Sequence, residues 1–203
     1  MPSYFATGQS WASLNRSERA FCAALYRHDL ARPGSLAAAI GLHCKAPPQR
    51  GTKWDWNSAP VIAVPKADAW ETALEACFFR DMYRAKPTAT KPKNFNALAQ
   101  TTFDLVLFSD DAIIVIEAKG IESFSTAQLR RIAGIKSGMS ALVGNSVQVL
   151  FYGLISSKYL RNISNRPAAG ELYQLDGLVA WRDLAAFYEA CPLLAQADAV
   201  YGT

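Results

Sequence analysis

Two apolar segments joined by a very short turn constrain this chain more than any other feature. Residues 103–108 (FDLVLF) and 112–118 (AIIVIEA) are separated only by Ser-Asp-Asp. This spacing predicts an antiparallel hairpin. Because nearly every position in both segments is apolar, we expect other parts of the chain to cover both faces of the hairpin, as in α/β proteins.

The segments around the hairpin predict an alternation of helix and strand. The spacing of apolar residues predicts an amphipathic helix over residues 67–83, a second helix beginning near Ser125, and a strand over residues 147–156. Residues 46–60 are rich in turn formers, which favours an irregular connection. The expected fold class is therefore α/β, with helices packed on a sheet.

Length and composition favour a folded protein. The chain has 203 residues, of which 51% are hydrophobic and 19% are charged, as is usual for a globular fold. We expect residues 1–60 to form a helical N-terminal extension and residues 61–203 to form the main domain, within one compact unit. No signal peptide or bilayer-spanning segment is evident, so the expected location is cytoplasmic, without membrane contact.

Three charged residues interrupt the apolar pattern of the hairpin: Asp104, Glu117 and Lys119. Because side chains alternate along a strand, Glu117 and Lys119 should share a face. An even loop would place Asp104 opposite Glu117 on that same face, whereas a three-residue loop would separate the two carboxylates. A metal site therefore requires an even loop, or a bulge that restores the phase.

The residue types at these positions favour phosphodiester hydrolysis. Two carboxylates one strand apart, together with a main-chain carbonyl, form an oxygen site suited to Mg²⁺ or Mn²⁺. The ammonium group of Lys119 could orient or deprotonate a water, or stabilise charge on the attacked phosphate. The alternative is a salt bridge between Lys119 and a carboxylate at the strand end, with no metal.

The segment FDLVLFSDDAIIVIEAKG resembles the Asp…Glu-x-Lys core of the PD-(D/E)XK nuclease superfamily, which includes restriction endonucleases, Holliday-junction resolvases and repair nucleases. By order of elements, the resemblance extends over roughly residues 67–149. It implies a restriction-endonuclease-like mixed sheet flanked by helices. It also implies a Mg²⁺- or Mn²⁺-dependent nuclease, with DNA favoured over RNA as substrate, and it suggests a homodimer.

This resemblance assigns roles around the hairpin. Asp104, Glu117 and Lys119 match the three signature positions, and the main-chain carbonyl of Ala118 would be a further metal ligand. Phe103 stands where the superfamily's name places proline. The strand that usually precedes the Asp strand is not evident in the basic segment that follows the predicted helix.

Many relatives also carry a glutamate on the preceding helix and a glutamine on the following one. Glu71 lies on the apolar face of the predicted 67–83 helix and is expected to serve as the glutamate and as a metal ligand, with Glu75 and Glu18 as alternatives. Gln128 shares an apolar helix face and is expected to reach a metal-bound water or a phosphate.

Charge is consistent with a phosphate-bearing partner, since the net charge is +4. Five basic residues flank the proposed site in sequence and are expected to contact phosphates: Lys91, Lys93, Arg130, Arg131 and Lys136. Two other function classes remain open. One is a catalytically silent nucleic-acid- or partner-binding protein that retains the nuclease fold, and the other is an unrelated α/β enzyme acting on small phosphorylated substrates.

Overall fold

A five-stranded sheet runs through the centre of the molecule. The computed structural model describes residues 18–50, 53–85, 95–119, 124–144, 146–161, 163, 169–189 and 191–202. The strands are β1 (Glu71–Ala76), β2 (Phe103–Phe108), β3 (Ala112–Ala118), β4 (Gln148–Ile155) and β5 (Gly177–Ala180), and they lie side by side in chain order. Pairing is antiparallel from β1 to β3 and parallel from β3 to β5, so the sheet is mixed. The chain is therefore an α/β protein.

Helices pack on both faces of this sheet. They are α1 (Glu18–Ala31), α2 (Ser35–His43), α3 (Phe79–Ala85), α4 (Phe95–Leu98), α5 (Thr126–Val143), α6 (Ser157–Arg161), α7 (Trp181–Phe187) and α8 (Pro192–Gly202), with a 3-10 helix over Ala169–Gln174. Within the described residues, no helix combines the length and apolar character that crossing a membrane requires.

The first hydrophobic layer joins the N-terminal helices to the sheet. Phe21, Leu25 and Ile40 from α1 and α2 belong to the same buried cluster as Leu105 of β2 and Ile116 of β3. The segment expected to form an N-terminal extension thus supplies one side of the core. The apolar faces of α1 and α2 are buried because they cover a sheet face that would otherwise meet water.

The second layer is built mainly on α5. Leu129, Ile132 and Ile135 of this helix pack in a cluster with Val115 of β3 and Phe151 of β4. The helix predicted near Ser125 and the strand predicted over residues 147–156 are both confirmed, as α5 and β4. The described part of residues 46–60 contains no helix or strand, as predicted.

The helix predicted over residues 67–83 is wrong. Residues Glu71–Ala76 form the edge strand β1, and the helix that follows begins only at Phe79. Residues 71–76 pair with β2, whose main-chain groups would otherwise be left unpaired at the sheet edge. Tertiary pairing has overridden the local helical pattern. A strand that the sequence pattern did not indicate, β1, thus precedes β2 and pairs with it.

Candidate active site

Asp104 and Glu117 lie opposite one another on β2 and β3. Leu105 pairs with Ile116, and Phe108 pairs with Ile113, which leaves an even loop of residues 109–112. Continuing this register by one position places Asp104 across from Glu117, so their side chains leave the sheet on the same face. The predicted even loop is confirmed, and it needs no bulge.

Both carboxyl groups are desolvated. Burial raises the pKa of Glu117, and the neighbouring Asp104 carboxylate raises it further. Burial also raises the pKa of Asp104, although the main-chain N–H of Ala118 partly offsets this effect by donating a hydrogen bond of 2.7 Å to Asp104 Oδ2. Two partly buried carboxylates that repel each other form a site that a cation would stabilise.

Lys119 and Gln128 both contact Glu117. Lys119 Nζ lies 3.4 Å from Glu117 Oε1, and the side chains of these two residues are 14% and 21% exposed. Gln128 Nε2 donates a hydrogen bond to the same oxygen. The structure therefore brings together four of the predicted site residues, with Glu117 at their centre.

The main chain of Lys119 is fixed by two hydrogen bonds from distant parts of the fold. Its N–H donates to Leu154 O on β4 at 2.8 Å, and its carbonyl accepts from Trp181 Nε1 at 3.4 Å. The ammonium group lies 5.5 Å from the centroid of the Phe124 ring, a cation–π arrangement. Sequence patterns did not single out Phe124 or Trp181, because both contacts depend on tertiary packing.

A glycine makes room for the Phe124 ring. Gly153 of β4 pairs with Glu117. A Cβ atom at Gly153 would lie 3.1 Å from Phe124 Cε2 and 2.9 Å from Leu178 Cδ2, closer than ordinary packing permits. Because Gly153 has no side chain, the Phe124 ring can occupy this space and lie beside Lys119.

Glu71 lies away from this cluster. It pairs with Phe108 and is four strand positions from the level of Asp104, about 13 Å along the sheet. Its expected role as the helix glutamate and metal ligand is not supported by this placement, because Glu71 belongs to β1 and sits at the loop end of the hairpin. Nothing brings its carboxylate to Asp104.

The two alternatives to Glu71 lie nearer. Glu75 occupies the end of β1 beside β2, where its charge raises the pKa of Asp104, and it forms an ion pair with Arg19. Glu18 is the first residue of α1, one turn before Cys22. The pKa of the buried Cys22 thiol is raised first by burial and then by Asp104, Glu18 and Glu117. The first turn of α1 therefore lies within electrostatic reach of the carboxylate pair.

The donor set fits a hard divalent cation. Among the described residues, no group of three or more His, Cys, Asp and Glu side chains is placed to hold a metal. Mg²⁺ is commonly held by one or two carboxylates and keeps several waters, so a complete protein cage is not required. Asp104, Glu117 and the carbonyl of Ala118 would hold it.

The five basic residues that were expected to contact phosphates fall into three groups according to where the structure places them. Lys91 and Lys93 lie outside the described residues. Arg130 pairs with Glu171 at 3.0 Å, and Lys136 pairs with Asp176. Arg131 instead lies beside the carboxylate cluster, in a cavity that Glu117 also lines.

Comparisons of this chain with protein-family models, with curated proteins and with solved structures gave no match.

Proposed function

We propose that this protein is a metal-dependent endonuclease that hydrolyses phosphodiester bonds in DNA, and that its fold is restriction-endonuclease-like. The observation that carries the proposal is the pair of desolvated carboxylates, Asp104 and Glu117, facing one another at the end of two strands. Lys119 and Gln128 both contact Glu117 of this pair. Burying two like charges together is unfavourable; Lys119 offsets one of them, and a bound cation would offset the negative charge that remains.

Each residue has a role in this reaction. Asp104, Glu117 and the Ala118 carbonyl would hold Mg²⁺ or Mn²⁺, which would supply Lewis-acid stabilisation and a more acidic water. Lys119 places a positive charge beside the pair, where its ammonium group orients the attacking water or stabilises charge on the phosphate. Gln128 fixes the orientation of the Glu117 carboxylate.

The fold supports this assignment in one further respect. An antiparallel meander followed by a helix and a parallel strand places the Asp strand next to the Glu-x-Lys strand, in the order that the superfamily pattern requires. Strand β1 supplies the element that precedes the Asp strand.

A cleavage assay tests the proposal. Plasmid, linear duplex, single-stranded and branched DNA, together with an RNA of matched sequence, are incubated with Mg²⁺ or Mn²⁺, and with EDTA as control. Asp104→Asn, Glu117→Gln and Lys119→Met should each reduce cleavage about 100-fold or more. Asp110→Asn is the matched control, because Asp110 is an exposed carboxylate on the same hairpin.

The possible outcomes separate the candidate functions. Cleavage that needs metal and all three residues supports the nuclease. Binding of DNA without cleavage under any metal supports the catalytically silent alternative. The ratio of nicked to linear plasmid reports whether two active sites act together, as in a homodimer. A wild-type protein that neither cuts nor binds nucleic acid would overturn the proposal.

A further inference from the structure

A cavity of about 460 Å³ opens beside Glu117. Its polar lining includes Glu117, Gln128, Thr101 and Arg131, and its apolar lining includes Phe151. This volume matches a small-ligand site and is far too small for a duplex. One strand of a nucleic acid could place a phosphate and its sugar there.

Arg131 differs from the other basic residues of α5. The side chains of Arg130 and Lys136 are each paired with a carboxylate. Arg131 Nη2 instead donates a 3.4 Å hydrogen bond to the hydroxyl of Thr101. In the described part of the chain, no carboxylate lies within ion-pair distance of Arg131. Within that part, its exposed guanidinium group therefore has a hydroxyl and no carboxylate as its hydrogen-bond partner.

The position of Arg131 relative to the carboxylates is set by α5. Gln128 donates a hydrogen bond to Glu117. Arg131 follows Gln128 by three residues, so the two side chains are neighbours on one helix face. The guanidinium group is therefore one helical turn from Gln128 and lines the same cavity as Glu117. A planar guanidinium group binds two phosphate oxygens at once, which a flexible ammonium group does less well.

We infer that Arg131, assisted by the hydroxyl of Thr101, binds a backbone phosphate of the DNA strand being cut, next to the phosphate attacked at Asp104 and Glu117. This inference depends on the proposed nuclease function. Arg131 is then a residue that positions one DNA strand through a specific phosphate contact, rather than one that attracts DNA only through the net positive charge of the protein.

Two measurements test this role. DNA binding without metal is followed by fluorescence anisotropy over a range of salt concentrations, and cleavage with Mg²⁺ is followed to obtain kcat and KM. Arg131→Ala should weaken binding about tenfold and raise KM similarly, with kcat changed less. The slope of log Kd against log salt concentration should fall by about one, as for the loss of one phosphate contact. Arg131→Lys should lose less.

Two control variants make the result specific. Arg27→Ala removes one positive charge from an exposed position of α1, and it should leave binding within about twofold of wild type because a single distant charge is screened. Arg130→Ala removes the neighbouring charge, which is already paired with Glu171. An equal loss in Arg130→Ala and Arg131→Ala, or no loss in Arg131→Ala, would overturn the inference.

The outcomes also separate this inference from the proposed function. If the wild type cuts DNA and Arg131→Ala has the wild-type KM and the wild-type slope of log Kd against log salt concentration, the inference fails while the nuclease proposal stands. If the wild type binds DNA through Arg131 but cuts nothing, the nuclease proposal fails while the binding site stands. If the wild type neither binds nor cuts DNA, both fail.

Discussion

Gln128 on α5 donates a side-chain hydrogen bond to Glu117 on β3, and this bond ties the helix of one layer to the edge of the candidate active site. The same α5 residue donates its main-chain N–H to Ser125 Oγ at 3.1 Å, the cap of the helix. The cap sets where the helix begins, and that starting point places the Gln128 side chain against the carboxylate.

Replacing Gln128 by alanine should lower cleavage about tenfold with little loss of stability, because residues that orient a metal ligand usually contribute that much. Initial rates at saturating Mg²⁺ and a thermal melt would measure the two effects. Gln148→Ala, an exposed glutamine at the start of β4, is the matched control. Wild-type rates in Gln128→Ala would show that the hydrogen bond does not position Glu117 for the reaction.

The metal-free protein should lose stability as the pH rises. The pKa values of Asp104 and Glu117 are raised by burial, so the folded state binds their protons more tightly than the unfolded state does. The resulting stabilisation is present below the ordinary carboxyl pKa and is lost as the pH rises through the raised pKa. Melting temperatures in EDTA should therefore fall more steeply with pH for wild type than for Glu117→Gln. Parallel curves for the two proteins would contradict this.

Metal binding should reverse that loss. At neutral pH, Mg²⁺ should raise the melting temperature of wild type, because a ligand that binds only the folded state stabilises it. Asp104→Asn and Glu117→Gln should show a much smaller shift, since each lacks one carboxylate of the site. Thermal melts over a Mg²⁺ titration would measure this, with Asp110→Asn as control. Equal shifts in all four proteins would place the bound metal elsewhere.

Gly153→Ala should destabilise the protein by about 1–3 kcal/mol, because the added methyl group overpacks a filled region. The new Cβ would meet Phe124 and Leu178, so the ring beside Lys119 should be displaced and cleavage reduced. Gly170→Ala is the control, since a Cβ there meets nothing within 4 Å. Urea unfolding and cleavage rates of both variants would test this. Equal stability in the two variants would contradict the packing argument.

Asp29→Ala should lower stability without a specific effect on the chemistry. The buried Asp29 carboxylate accepts a hydrogen bond of 2.7 Å from the main-chain N–H of Leu36 and another from the Thr72 hydroxyl, joining α1 and α2 to β1. Leaving such donors unsatisfied costs about 1–3 kcal/mol each. Urea unfolding would measure the loss, and kcat per folded molecule should remain close to wild type.

The hairpin and its polar residues could be predicted from the sequence because they depend on local rules. Two apolar segments and a three-residue spacer define the strands, and alternation along them fixes which side chains share a face. The sequence left the loop parity open and showed only that an even loop would place Asp104 opposite Glu117; the register supplies that even loop. Gln128 could be identified because an apolar helix face rarely carries an exposed glutamine.

Residues 67–83 could not be interpreted from local pattern alone. Their apolar spacing suits a helix, and only the unpaired edge of β2 makes residues Glu71–Ala76 a strand. That pairing moved Glu71 to the far end of the sheet and brought Glu75 to the level of Asp104.

The sequence by itself determined the two strands that carry the carboxylates, because the pattern of apolar residues that defines a strand is local and extends over only a few residues. Tertiary structure alone decided which helix covers the carboxylate pair and which basic residues of α5 acquire a carboxylate partner. Arg130 and Glu171 are 41 residues apart in the chain, and Lys136 and Asp176 are 40 apart, yet both pairs form across one surface. Contacts of this kind arise from how the layers pack, and no local pattern encodes them.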